Sequence, residues 1–517
     1  ILVSLFLIRF LDIGLKSTFQ ISFSPIVFRS TSFDSFFITL NLFGKELVLI
    51  TLVGVLFGIL ISYLMEFGFK KSRTSIITLV IFLLLASRST YILYKERYYA
   101  FEKLPSYLLV KELLEFQDIL KEKHITISES EIANLRKIGI APQLPDLSKI
   151  TTSDQKKNVV ILYLESFNSN YINKGGSNFE DLTPNIDSLI ENSVLFSNYF
   201  NAVTPTHNSM FSSWCGIFPE LHDNYVRENP DYTKGLTCFS DILNNLGYSQ
   251  YFYFGHGSWY GGITLFLKNH NYDRVTELSD IEREYPEWEK IKHQWGIQDT
   301  DLSRYVNAQV ELLKKQQPFN MGIFYINTHP PYFTAPDCPK YTLDNEHLQA
   351  IHCVDHAVGM VLRTLEKSGL WGNTVIVVVG DSPGHDYEKS RFFSYNKVLL
   401  AISSTDLTPG INETFSYTPD LGPTMLEVMG IPVKQIYSGH SILSSRKNFS
   451  TLVAPEFTIV EGEYNKGERC SFEDMEESVI ENIDEKVTDC KRRRIFRYLE
   501  QWLNKKDTER ALTMNEK

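Results

Sequence analysis

Three short runs of this sequence are almost wholly apolar, and each stops on a polar residue. "NVVILYLES" delivers Glu165, "FNMGIFYINTH" delivers His329 and "TVIVVVGD" delivers Asp381. Strands that are apolar on both faces need cover on both faces, which is the condition met in parallel sheets. The segments between them supply that cover. "TPNIDSLIENSVLF" reads as an amphipathic helix with Pro in its first turn, and "CFSDILNNLGY" as a second helix leading into the strand-like "SQYFYFG". "DLSRYVNAQVELLKKQ" and "AIHCVDHAVGMVLRTLEKSG" are longer helical patterns, the latter ending at Gly369. Strands alternating with helices predict an α/β domain, a mostly parallel sheet with helices on both faces.

Ligands of open α/β sheets bind beyond the carboxyl ends of the strands. Glu165, His329 and Asp381 all fall at such ends although they are far apart in sequence. One acid after a strand is commonly just the N-cap of the next helix; three polar ends together point to a site. "NAVTPTHNSMFSSWCGIFP" adds Thr206, which follows a proline and opens a helical stretch. A hydroxyl there would lie where backbone N–H groups and the helix dipole attract a phosphate or sulfate. A threonine becomes a useful nucleophile when a metal or base lowers its pKa, and Glu165 and Asp381 are carboxylates able to hold such a metal.

Upstream the composition changes. Leu47 to Met65 is an uninterrupted apolar run of about the length that crosses a bilayer. A second span is expected from Ser75 through Tyr94, interrupted by Arg88, which can snorkel. Lys70, Lys71 and Arg73 lie between the two and place that short loop in the cytoplasm, so the chain beyond Tyr94 faces outward. The first residue is Ile, and "ILVSLFLIRFLD" reads as the end of an earlier span of a longer protein. The expected organisation is therefore membrane segments over 1–95, a stalk over 96–155, a catalytic domain over 156–446 and a C-terminal extension over 447–517. In that extension Lys491 to Arg494 form a basic helix face, read as solvated.

Six cysteines fall downstream of the spans as near neighbours, Cys215 with Cys238, Cys338 with Cys353 and Cys470 with Cys490. In an exported domain they read as three disulfides; zinc ligation is the alternative, without any CxxC pair to support it. The net charge of −11 argues against a nucleic-acid partner, which needs a basic face.

With these residues in view, the chain resembles the sulfatase-like branch of the alkaline phosphatase superfamily, near the phosphoglycerol transferase I and lipoteichoic acid synthase families. The resemblance runs from about Asn158 to Leu443 and is carried by "NVVILYLESF", "TPNID", "PTHNSMFSSWCGIFP", "GLTCFSDILNNLGY", "FLKNHNYDRV", "HQWGIQD", "FYINTHPPY" and "TVIVVVGD" in that order. It implies Glu165 and Asp381 as metal ligands, Thr206 as both ligand and covalently phosphorylated nucleophile, and His329 as a phosphate contact. Trp259, with Tyr260 in "GHGSWYGG", falls near the family's substrate-contacting groups. One divalent ion is implied: manganese, magnesium or zinc. The implied reaction moves a phosphoglycerol-type group from a phospholipid donor to an envelope glycan or lipid acceptor, outside the cytoplasmic membrane. A sulfatase proper is not expected, because threonine cannot become formylglycine.

One position departs from the family. Ser382 stands where a metal-binding histidine is usual, and a hydroxyl is a weaker ligand than an imidazole. His385 lies a short turn away, either as a replacement ligand or as a solvated loop residue. Two further readings thus stay open: a degenerate binding or regulatory member of the family, and a hydrolase of phosphodiesters or sulfuric esters.

Overall fold

The computed structural model describes residues 156–201, 206–217, 236–257, 262–287, 295–383, 397–437 and 439–444. It adds a few single positions and the backbone of three short strands within 451–465. The expected membrane spans, the Cys470–Cys490 pair and all of the stalk but Leu147 and Ile150 lie outside the described residues. Among those that are described, no helix is long and apolar enough to cross a membrane. By its internal contacts the chain divides into two units, Ile1–Lys123 and His124–Lys517, and every described residue belongs to the second.

The elements follow in chain order: β1 (Asn158–Leu164), α1 (Pro184–Glu191), β2 (Val194–Phe196), β3 (Tyr199–Phe200), α2 (Thr206–Cys215), α3 (Phe239–Asn245), β4 (Ser249–Phe254) and α4 (Ile263–Asn269). Then come β5 (Arg274–Thr276), α5 (Leu278–Glu284), α6 (Asp299–Leu313), β6 (Phe319–Tyr325), α7 (Glu346–Lys367), β7 (Thr374–Gly380), β8 (Leu400–Ser403), β9 (Gly410–Asn412), β10 (Ser416–Tyr417) and α8 (Leu421–Val428). Eight strands form the main sheet in the order β5-β4-β6-β1-β7-β8-β2-β9. Only β8 runs against the rest, since it pairs antiparallel with both β7 and β2 while the other pairings are parallel.

The expected α/β architecture with helices on both faces is present. Val160, Leu162 and Leu164 of β1 point to one face, where they join Tyr305 and Val306 of α6 and Val354 and Val358 of α7 in a hydrophobic core. Tyr163 points to the other face and meets an aromatic cluster. Its ring centroid lies 5.5 Å from that of Trp214 on α2, which in turn stacks on Phe266 of α4 at 5.6 Å. Alternation along a strand thus feeds two separate cores from one buried run.

Two sequence expectations need correction. "SVLF" does not continue α1; Val194–Phe196 is β2, held between β8 and β9. Pairing with strands some 200 residues downstream overrides the local helical pattern there. The strand of "FNMGIFYINTH" also ends earlier, at Tyr325. His329 sits past a turn closed by its own N–H to the Ile326 carbonyl at 2.9 Å. Disulfides Cys215–Cys238 and Cys338–Cys353 are formed as expected.

Candidate active site

Sheet register assembles the site. Leu164 is level with Tyr325 on one side and Gly380 on the other, so the next residues of β1 and β7 are neighbours. The Glu165 N–H donates to the Tyr325 carbonyl at 3.0 Å and the Asp381 N–H to the Leu164 carbonyl at 3.1 Å. Gly380 is required here by space. A Cβ on it would lie 2.3 Å from the Phe167 carbonyl oxygen, because the segment leaving Glu165 crosses over the end of β7.

Thr206 completes the group as the first residue of α2, a helix buried along its whole length. Its hydroxyl donates to Glu165 Oε2 at 3.1 Å, and Ser166 Oγ donates to Glu165 Oε1 at 2.7 Å. Asp381 Oδ1 accepts the Ser166 N–H at 2.8 Å, and the Asp381 carbonyl accepts from Ser209 Oγ, one turn along α2, at 2.8 Å. This last bond ties α2 to the Asp381 loop.

Both carboxyls are almost fully buried, Glu165 at 2% and Asp381 at 1% exposure. Desolvation raises the pKa of each, and the charge of Glu165 raises Asp381 further; nearby hydroxyls offset this only in part. Asp381 Oδ2 has no hydrogen-bond partner, and among the described residues no Lys or Arg pairs with either acid. Among the described residues these two adjacent buried carboxyls, one with an orphaned oxygen, meet no countercharge, and a divalent cation would supply one. The residues therefore fit a metal held by Glu165, Asp381 and Thr206. Ser382 is half-buried with its Oγ 3.3 Å from Ser166 Oγ. His385 and Trp259 lie outside the described residues.

His329 lies on the same edge. Its Nδ1–H donates to the Pro330 carbonyl at 2.7 Å, and its ring meets Trp295 edge-on at 4.5 Å. Burial lowers its pKa, which favours the neutral imidazole, and the charge of Asp381 counteracts this in part.

The structure adds residues to which sequence reasoning assigned no role. Asp299, at the start of α6, accepts the N–H groups of Ile326 and Asn327, both at 3.0 Å, and so clamps the turn that carries His329. Trp295 Nε1 donates to the Pro330 carbonyl at 3.2 Å, and His293 Nε2 lies 3.0 Å from Asn327 Oδ1. All three belong to "HQWGIQD", a block visible in the sequence whose contacts with the His329 turn depend on tertiary packing. Burial pushes the Asp299 carboxyl up to about 7 and the His293 imidazole down to about 4.

Comparison with known proteins agrees with this architecture. A family model described as Sulfatase matches residues 157–431. Phosphoglycerol transferase I of Escherichia coli (strain 55989 / EAEC) is 26% identical over 294 residues, covering 54% of this chain and 38% of that protein. This chain thus spans well under half the length of the curated relatives it matches. Among solved structures, an alkaline phosphatase superfamily protein from Vibrio parahaemolyticus superposes with a TM-score of 0.57 at 18% identity, over 74% of this chain and 98% of that one. The lipoteichoic acid synthase LtaP from Listeria monocytogenes superposes at 0.53 and 18% identity, over 71% and 97%.

Proposed function

The chain belongs to the sulfatase family, and from that premise we propose that it is a metal-dependent phosphotransferase with Thr206 as its nucleophile. It moves a phosphoglycerol-type group from a phospholipid to an envelope glycan or lipid, outside the cytoplasmic membrane in which its apolar segments anchor it. The observation that carries this reading is the hydrogen bond from Thr206 Oγ1 to Glu165 Oε2, at the amino end of a buried helix and beside the orphaned Asp381 oxygen. The names of the transferase and synthase relatives support the reaction class.

In the first half-reaction Thr206 Oγ attacks phosphorus and a Thr–O–P bond forms. The bond to the diacylglycerol oxygen breaks, and that oxygen leaves with the proton Thr206 gives up. Glu165 Oε2 accepts the Thr206 hydroxyl's hydrogen bond and so orients it for attack, and the proton passes to the leaving oxygen. The first-turn N–H groups of α2 lack intrahelical acceptors and lie where negative charge accumulates. His329, held in orientation by Pro330 and Trp295, contacts the phosphate. In the second half-reaction an acceptor hydroxyl attacks the same phosphorus, transfers the group and restores Thr206. A divalent ion held by Glu165, Asp381 and Thr206 would lower the hydroxyl's pKa and offset charge on the transferring group. Manganese, magnesium and zinc all suit that role, with Ser382 in place of histidine favouring an oxygen-preferring ion.

The test is Thr206→Ala assayed with a phosphatidylglycerol donor, together with intact-mass detection of the phosphoglycerol adduct on the wild-type chain. Loss of transfer by several orders of magnitude and an adduct that disappears in the variant are expected. Full transfer by the variant would overturn the proposal. Ser382 favours one alternative, a family member kept for binding or regulation. Absence of any tightly held divalent ion, with no effect of Glu165→Gln, would support it. Hydrolysis is separated from transfer by product analysis with and without an alcohol acceptor.

A further inference from the structure

At the carboxyl end of α2, away from Thr206, three buried ligand atoms converge. Cys215 Sγ, Cys238 Sγ and a ring nitrogen of His270 all lie within 4.8 Å of one another. None of these residues is more than 1% exposed. Thr206 opens the ten-residue helix and Cys215 closes it, so about 14 Å of helix separates this cluster from the candidate active site. One acid holds the imidazole in place. Asp241 Oδ2 lies 2.8 Å from His270 Nδ1, and the same carboxylate accepts the Cys238 N–H and the Asn271 side-chain N–H, both at 2.7 Å. A carboxylate takes the proton-bearing nitrogen, so Nδ1–H donates to Asp241 and the lone pair sits on Nε2. Nε2 faces Cys238 Sγ at 3.9 Å, and Phe266 packs on the ring at 4.6 Å. A disulfide has no need of such a nitrogen. A bonded sulfur is a weak acceptor, and Nε2 carries no proton to give it.

We propose that this cluster is a zinc site of the reduced chain, with Cys215, Cys238 and His270 as its ligands. It is separate from the metal expected between Glu165 and Asp381, and it does not depend on the transferase reading. Reduction by a dithiol breaks the sulfur–sulfur bond, takes up two electrons and two protons, and leaves the reductant as its own disulfide. A zinc ion then displaces both thiol protons and binds two thiolates and the Nε2 lone pair. Ligand softness selects the ion, since thiolate with imidazole favours zinc over magnesium, calcium and manganese, which prefer oxygen. Spacing agrees with that choice. With bonds of about 2.3 Å to sulfur and about 2.0 Å to nitrogen, tetrahedral ligands stand about 3.5–3.8 Å apart. Cys238 Sγ and Nε2 are already near that spacing at 3.9 Å, so the main adjustment is at Cys215, whose sulfur must part from that of Cys238. The carboxylate on Nδ1 is the outer partner that zinc-binding histidines commonly have, fixing tautomer and ring orientation. Three protein ligands leave a fourth position for water. Disulfide and zinc are thus alternative states of the same atoms, and each fastens the carboxyl end of α2 to the start of α3. The helix that carries Thr206 is held in the oxidised and in the reduced chain.

The experiment uses the full chain in detergent, stripped of metal and kept under a phosphine reductant, which ends as its oxide and leaves the thiols free. Reduction of Cys215 and Cys238 is verified by alkylation and peptide mass. Cobalt(II) is the probe, because thiolate ligation gives a near-ultraviolet charge-transfer band that an oxygen-ligated ion at Glu165 and Asp381 lacks. The band is expected to appear on reduction, to be absent from the oxidised chain and to be displaced by zinc. Cobalt affinity should fall at least about tenfold in Asp241→Asn and further in His270→Ala. The band should vanish in the Cys215→Ser/Cys238→Ser double variant. Asp241→Asn keeps a polar cap on α3 and tests the site should loss of His270 disturb folding. Zinc should also raise the urea midpoint of the reduced wild type more than that of the double variant, since a ligand of the folded chain stabilises it. Absence of the band from the verified dithiol, or a band that neither Asp241→Asn nor His270→Ala weakens, would overturn the inference. So would a band that survives in the double variant and is lost with Cys338→Ser, or an equal rise in midpoint in the two chains.

Discussion

At the scale of single residues, the site is defined by what each acid lacks. Asp381 has one oxygen bonded to the Ser166 N–H and the other without a partner, and Glu165 receives two hydroxyls. Both are raised by burial, which is tolerated in a folded protein when a cation or proton completes the pair. A cation held by these acids would meet a hydroxyl at Ser382 in place of an imidazole. Its hydroxyl lies against Ser166 rather than extending the ligand set with an imidazole. Replacing it by Ser382→His is expected to raise zinc affinity at least about tenfold, read by competition against a chromophoric chelator. Unchanged affinity would mean that residue 382 does not face the ion. Asp299 uses both carboxylate oxygens to hold two backbone N–H groups of the His329 turn, a positioning role that its place at the start of α6 does not advertise.

At the scale of elements, helix α2 must keep Thr206 in register with two strand ends. Its amino end is tied by Ser209 to the Asp381 carbonyl, and its carboxyl end by the Cys215–Cys238 disulfide to the start of α3. The second tether is itself reinforced, because Asp241 accepts the Cys238 N–H at 2.7 Å and lies 2.8 Å from His270 Nδ1. Closing a loop with a sequence separation of 23 should contribute about 3 kcal/mol through the unfolded chain. Substituting both cysteines by serine is therefore expected to lower unfolding stability by about that amount in urea. Reduction of the wild-type chain, which also opens Cys338–Cys353, should lower the midpoint at least as far. An unmoved midpoint would show that packing of Trp214 among Tyr163, Phe252 and Phe266 suffices to hold the helix.

At the scale of the whole molecule, buried acids couple stability to pH. Asp299 titrates at about 7 in the folded protein against 3.8 unfolded, so the native state binds its proton more tightly. That contribution is fully present below the unfolded value and is lost as pH rises through about 7. Between pH 5 and pH 8 it amounts to about 3 kcal/mol. Urea unfolding of Asp299→Asn is expected to depend on pH less steeply than that of the wild type by this margin; equal slopes would refute the assignment. The strands β1, β6 and β7, the helices between them and the acids at two strand tips were legible from sequence, because burial on both faces leaves an apolar run and polarity returns only where the run ends. Thr206 was legible because proline before a hydroxyl marks a helix start. The early end of β6 was not, since the turn that follows it depends on Asp299, some 27 residues upstream. Nor was the strand identity of "VLF", which needs partners 200 residues away. The sequence by itself determined which groups stand at strand ends. Only the tertiary structure decided that Glu165 and Asp381 are adjacent, because a parallel pairing between β1 and β7 brings residues 216 positions apart to one level, and local patterns carry no register.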